Sequence, residues 1–365
     1  GYHYNGKVLP ILDKVDTVAE QLPSLQKLVI VPILKSKDLN SQYNNQINWE
    51  DCLTTRGETW FEPVEFNHPL YIMFSSGTTG KPKCIVHGTG GSLLQHRKEH
   101  VLHTDLTERD VFFYFTTCGW MMWNWLVSGL ATGCTLVLFD GSPSYPSANR
   151  LTDLIDNEKI SVFGTSAKFI AALEKAGSKP IESHSLASLK TILSTGSPLL
   201  HENFRYIYNQ FKQDVCLASI SGGTDILSCF VLGNPTLPVF EGEIQCAGLG
   251  MDVQIYDELG TPIQQEKGEL VCRKPFPSCP IGFWNDPNGE KFHSAYFSRF
   301  PNIWAHGDYG ELTAHGGFVI HGRSDAVLNP GGVRIGTAEI YRQVEKIDQI
   351  LECLAVGQKW DGDER

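Results

Sequence analysis

Between residues 70 and 220 the chain alternates short apolar runs with longer mixed stretches. The runs fall at 70–74, 111–115, 135–139, 160–163, 189–193 and 215–220, without the strict apolar and polar alternation of a half-exposed strand. The stretches at 91–103, 120–131, 149–158, 166–176 and 200–211 are each long enough for a crossover helix. Apolar strands separated by helices predict a doubly wound α/β region, with parallel sheets and helices on both faces. The run at 70–74 reads as a buried strand of such a sheet, feeding the loop behind it.

Outside that region the pattern changes. A strand is predicted at 28–32, followed by a polar excursion at 35–48. After the proline-rich stretch 234–238, short runs at 252–256 and 268–272 with the turn Glu258-Leu259-Gly260 predict a small β-rich subdomain. Near the end, 337–346 reads as a charged amphipathic helix, capped by Thr337, with Ile340, Val344 and Ile347 on one face. The expected domains are an α/β region at 1–234, a β-rich subdomain at 235–324 and the start of a C-terminal α+β domain at 325–365.

Composition narrows the function. A length of 365 residues suggests two or three domains, and 41% hydrophobic with 19% charged residues is ordinary for a globular protein. The net charge of −11 argues against a nucleic-acid surface, which needs a basic face. No apolar run approaches the roughly 20 residues that span a bilayer, and no leader is visible, so membrane insertion is not expected and a cytoplasmic location is. The ten cysteines are scattered without a C-x-x-C pair, which points to reduced, buried thiols rather than zinc. The chain begins at Gly1 and stops in the charged run 361–365, and reads as a piece of a longer protein. Oligomeric state leaves no signal.

The candidate chemistry starts in the loop Ser75-Ser76-Gly77-Thr78-Thr79-Gly80-Lys81-Pro82-Lys83. Glycines let backbone N–H groups approach an anion, hydroxyls add donors and lysines add charge, so the loop suits phosphates; an exposed linker is the alternative. It is not a Walker loop, because Pro82 follows Lys81. Further along come Ser194-Thr195-Gly196-Ser197-Pro198, Ser221-Gly222-Gly223-Thr224-Asp225, Gly307-Asp308 and Gly322-Arg323-Ser324-Asp325.

With these motifs in this order, the chain resembles the adenylate-forming superfamily of acyl-CoA synthetases, luciferases and peptide-synthetase adenylation domains. Within it, the stretches 119–125 and 328–341 look most like the CoA ligases that activate acetoacetate, relatives of the acetate ligases. The resemblance implies ATP, Mg²⁺ and CoA, together with acetoacetate or a similar short acid. A medium-chain or aryl acyl-CoA ligase, an adenylation domain and a non-catalytic nucleotide-binding relative are the alternatives.

The resemblance also implies roles. Ser76, Gly77, Thr78, Thr79, Gly80 and Lys81 would cradle the β- and γ-phosphates, with Lys83 nearby. Gly196, Ser197 and Pro198 would border the adenine, a plain strand-to-helix turn being the alternative. Ser221, Gly222, Gly223 and Thr224 would line the nucleotide, and Asp225, where the family usually has Glu, would bind Mg²⁺ or else cap a turn. Asp308 would accept the ribose hydroxyls, joined by Arg323, while Arg334 would face phosphates and Gly331 and Gly332 the CoA arm. Asp325 would be the hinge of the C-terminal domain, with a surface ion pair to Arg323 as the alternative. Trp120, Met121, Met122 and Trp123 would wall the acyl pocket or form plain core, and Gly222 would deepen it where acetate-specific relatives carry tryptophan. His306, His315 and His321 lack metal-ligand spacing and read as structural. A further lysine of the family would fall beyond Arg365, Lys346 and Lys359 being too early, so this chain alone would adenylate poorly.

Overall fold

Five of the apolar runs form one parallel sheet. In the computed structural model, which describes residues 1–34, 41–53, 57–75, 82–324, 328, 337–344, 347, 349–350, 353–360 and 363–364, its order is Cys216–Ser219, Thr191–Thr195, Val162–Ser166, Val111–Tyr114, Thr135–Val137. All neighbours pair in parallel. From Val111–Tyr114 the chain runs out to Thr135–Val137, then returns to the other side with Val162–Ser166, so the order reverses between two central strands. Ligands of doubly wound sheets bind at such a reversal, beyond the strands' C-terminal ends.

The helices follow the predicted stretches. Ser166 caps Ala167–Lys175 by accepting from Phe169 N at 3.2 Å, and Phe169, Ile170 and Leu173 bury one face. Thr89–Lys98 continues into a π-helical turn at Glu99–His103. Met121–Ser128 places Met121, Met122 and Trp125 in a core with Phe112, Tyr114 and Leu193.

The run at 70–74 departs from its prediction. Pro69–Ser75 pairs antiparallel with Lys83–Gly88, in a separate three-stranded sheet completed by Gly282–Phe283. Nor is it buried: Leu70, Ile72 and Phe74 are exposed, while Tyr71 and Met73 pack against the core. An apolar run carries no sign of strand direction, and here an edge strand with one covered face uses apolar residues on both.

Antiparallel pairing resumes just past the parallel sheet. Ser221–Gly223 pairs with Ser228–Leu232, which pairs with Cys246–Ala247. A five-stranded antiparallel sheet then runs Pro262–Ile263, Val253–Tyr256, Lys267–Cys272, Trp304–Leu312, Phe318–Arg323 around a core with Phe230, Ile255, Leu270 and Trp304. A helix at Glu290–Tyr296, unheralded in the sequence pattern, packs beside Trp304–Leu312. The predicted terminal helix is present as Thr337–Val344 against Phe318–Arg323.

Two compact units emerge: 1–63 with 139–151, and 64–138 with 152–365. The first holds a hairpin, Tyr2–Tyr4 with Lys7–Leu9, and the helix Leu12–Glu20. In it Gln46–Asn48, within the predicted polar excursion, pairs in parallel with Leu28–Ile30. Among its described residues at 1–63, Ala19 alone is buried. The second carries both large sheets. The cysteines are free, with Cys134, Cys229 and Cys272 buried, and no described helix is long and apolar enough to cross a membrane.

Candidate active site

At the C-terminal edge of the parallel sheet a cleft of about 280 Å³ opens in the second unit. One side comes from loops and helices that follow parallel strands: Trp120, Met121 and Met122 after Val111–Tyr114, and Gly196, Ser197 and Pro198 after Thr191–Thr195. The floor is Ser219 to Thr224 with Ser228 and Cys229. The other side, Asp308, Ile320, Gly322 and Arg323, comes from the antiparallel sheet. Trp123 is not among the lining residues and packs against the core instead.

Asp308 and Arg323 face each other as Cα partners on adjacent strands. The Arg323 guanidinium donates to Asp308 Oδ1 at 3.1 Å and to the His306 carbonyl at 3.2 Å. Gly307 makes this close approach possible: its φ is +83° and an added Cβ would lie 2.5 Å from Arg323 Nη2. Its N–H donates to Glu269 Oε1 at 2.8 Å, and Glu269, itself buried, pairs with Arg299.

Thr224 lines the cleft, and Asp225 follows it. Lys83 forms an ion pair with Asp225 Oδ1, and the Tyr296 hydroxyl donates to the same oxygen at 2.5 Å. Burial pushes the Asp225 carboxyl up, but His306, Lys83 and Tyr296 together outweigh it and hold the carboxyl below its ordinary value. Burial first, then the Asp225 charge, pushes the Tyr296 hydroxyl far up, so it stays a donor. The Tyr296 ring stacks on Trp304 at 3.8 Å, and the Trp304 indole donates to His306 Nδ1 at 3.4 Å. His87, buried on Lys83–Gly88, lies 3.0 Å from the Thr224 carbonyl, and burial chiefly lowers its pKa to about 4.

Gly222 has a second reason to be glycine. A Cβ there would lie 2.0 Å from the Ser228 carbonyl oxygen and 2.5 Å from Cys229 Cα, at the register shift of the hairpin. Its missing side chain is required by backbone approach, not only by room in the cleft.

The structure thus brings Trp120, Met121, Met122, Gly196, Ser197, Pro198, Ser221, Gly222, Gly223, Thr224, Asp308 and Arg323 to one cleft, with Asp225 beside Thr224. Ser76, Gly77, Thr78, Thr79, Gly80, Lys81, Asp325, Gly331, Gly332 and Arg334 lie outside the described residues. Sequence reasoning missed Tyr296 and His87, and did not foresee that Lys83, expected near the phosphates, pairs with Asp225. Lys83 and Asp225 are 142 positions apart, and no local pattern announces such a pair.

The profile of the AMP-binding enzyme family matches residues 8–278. The chain belongs to that family. This AMP-binding enzyme is 56% identical to the acetoacetyl-coenzyme A synthetase of Rhizobium meliloti, over 100% of this chain and 56% of that protein. It is 52% identical to the acetoacetyl-CoA synthetase of Danio rerio, over 99% of this chain and 55% of that one. A solved acetoacetyl-CoA synthetase from Streptomyces lividans superposes with a TM-score of 0.92 at 44% identity, over 99% of this chain and 55% of its own. An anthranilate CoA ligase shares the fold at a TM-score of 0.80 and 21% identity. The chain spans about half the length of the synthetases it matches.

Proposed function

We propose that this AMP-binding enzyme is the nucleotide- and acid-binding part of an acetoacetate:CoA ligase. ATP and acetoacetate would give acetoacetyl-AMP and pyrophosphate, and CoA would then take the acyl group and release AMP. The observation that carries the reading is the single cleft in which an apolar wall, Trp120 to Met122, faces a carboxylate and guanidinium pair, Asp308 and Arg323. The first accommodates an acyl tail and the second a ribose with its phosphate. Likeness to acetoacetyl-CoA synthetases over nearly the whole chain supports acetoacetate as the acid.

In the first step a carboxylate oxygen of the acid bonds to the α-phosphorus as the bond to pyrophosphate breaks. Two anions must meet, so positioning and neutralisation dominate. Asp308 would accept the ribose hydroxyls while Arg323 holds its carboxylate in place. Thr78, Thr79 and Lys81, with Ser76, Gly77 and Gly80, would hold the leaving phosphates, and Arg334 would offset charge. The adenine would lie by Gly196 to Pro198, with Ser221 to Thr224 beneath the phosphates.

The chain also fits a magnesium ion. Among the described residues no group of three or more His, Cys, Asp or Glu could hold a metal, and magnesium on a triphosphate needs only one or two carboxylates. Lys83 and Tyr296 both engage Asp225 Oδ1, so Oδ2 would be the oxygen that meets the cation. Bound there, magnesium would neutralise charge on the leaving phosphates. Residues 235–324 would complete the binding domain, and 325–365 would begin a C-terminal domain turning about Asp325 to bring Gly331 and Gly332 to CoA.

AMP release by the full-length protein, measured with ATP, CoA and a panel of acids, tests the reading. Acetoacetate should exceed acetate and butanoate in kcat/KM; preference for another acid would overturn it.

A further inference from the structure

Behind the cleft, and outside the machinery just described, a carboxylate is sealed from solvent. Glu99 is fully buried at the point where the helix Thr89–Lys98 changes register into the π-helical turn Glu99–His103. Such insertions re-aim a side chain. Its two oxygens reach two different walls. Oε2 accepts the indole N–H of Trp125 at 2.8 Å, and Oε1 accepts the Ser228 hydroxyl at 2.5 Å and the Gln95 amide at 2.9 Å. The Lys98 ammonium lies 3.6 Å from Oε1, near enough to offset charge.

Trp125 belongs to the helix Met121–Ser128, whose first residues, Met121 and Met122, face the cleft. It lies one turn along that helix and is held by His100 at 4.3 Å and Phe112 at 5.6 Å between ring centres. Ser228 begins the strand Ser228–Leu232; with Cys229 it lines the cleft floor, and its carbonyl abuts Gly222. The planar carboxylate therefore fixes the spacing between the methionine wall and the floor. Breaking one bond would leave a buried polar group unpaired, which locks the arrangement.

From this we infer that Glu99 is a positioning residue for acid selectivity: as a strut between Trp125 and Ser228 it sets the width of the acyl pocket and so the length of acid admitted. The inference deepens the proposed function and rests on it for the identity of the cleft. Glu99 touches no substrate; it acts through Met121, Met122, Ser228 and Cys229.

The test compares full-length wild type with Glu99→Gln and Trp125→Phe, by AMP release on acetoacetate and on straight-chain acids of two to six carbons. The readout is the kcat/KM ratio between the preferred acid and the acid one carbon longer. That ratio should fall about 10-fold in Glu99→Gln and about 3-fold in Trp125→Phe, the scale of one or two buried hydrogen bonds, with the KM for ATP within about 2-fold of wild type. A uniform fall across all acids, or a parallel rise in the KM for ATP, would make Glu99 a general prop and overturn the strut. If Glu99→Gln does not fold, Trp125→Phe decides by the same ratio. A wild type preferring an acid other than acetoacetate overturns the substrate reading while the ratio still judges the strut; a wild type that activates no acid overturns both.

Discussion

The two sides of the cleft are built by different physics. The side that follows the parallel strands is apolar and shaped by packing: Trp120, Met121 and Met122 stand on a core of Phe112, Tyr114 and Trp125. The side from the antiparallel sheet, with the neighbouring Asp225, is held by charge: Asp308 with Arg323, Asp225 with Lys83 and Tyr296, and Glu269 with Arg299. Shape distinguishes acids by small steps, since a methylene in an apolar pocket is worth about 1–3 kcal/mol. Charge on a reacting phosphate is worth more, because little water intervenes. On the proposed function, selection of the acid and activation of the nucleotide would fall to separate surfaces, each open to perturbation with limited effect on the other.

The largest break should come on the charged side. Asp225→Ala leaves Lys83 without its counter-ion and removes the proposed cation ligand, so kcat/KM in full-length AMP release should drop about 10²- to 10³-fold, for every acid alike. Asp308→Ala should raise the KM for ATP about 10- to 100-fold by losing charged hydrogen bonds, with acid preference unchanged in the same assay. An altered order of acids in either variant would show that the two surfaces are not separate.

On the packed side the effects are smaller and fall on stability. Gly222→Ala forces a Cβ toward the Ser228 carbonyl 2.0 Å away, so urea unfolding should show a loss of about 1–3 kcal/mol. Smaller still is a pH effect. Burial holds the His100 pKa well below its ordinary value, so below about pH 6.5 the unfolded chain binds a proton that the folded chain refuses. Stability that is full above that pH should fall as pH drops through it, by at most about 1.4 kcal/mol per pH unit for this group. Melting curves between pH 7.5 and 5.5 should show the slope, and His100→Leu should reduce it by one group's share, since burial also lowers the pKa of His87, His96 and His103.

These contrasts also explain what could be read from sequence. The parallel strands were legible because burial on both faces leaves uninterrupted apolar runs, and the glycine-rich turns after them marked most of the cleft. Direction was not legible in Leu70 to Phe74, because an antiparallel edge strand uses the same residues. The sequence left Met121, Met122 and Trp123 open between wall and core; Met121 and Met122 are both, lining the cleft and belonging to the core, whereas Trp123 packs against the core without lining the cleft. Tyr296, Glu99 and the partner of Lys83 were invisible, since each has a contact spanning more than 70 positions of chain that no local pattern announces. Gly222 was read for the space it leaves, whereas its neighbours leave no room for a Cβ unless the hairpin shifts.

That last contact bears on how acid preference could change over descent. Because the Ser228 carbonyl occupies the position a Cβ at Gly222 would take, no single codon change at 222 delivers a bulkier residue into an otherwise unaltered site. The hairpin would first have to part there, by a change at or behind Ser228. At this position, a bulkier side chain is therefore reached in two steps, the hairpin moving before the residue changes.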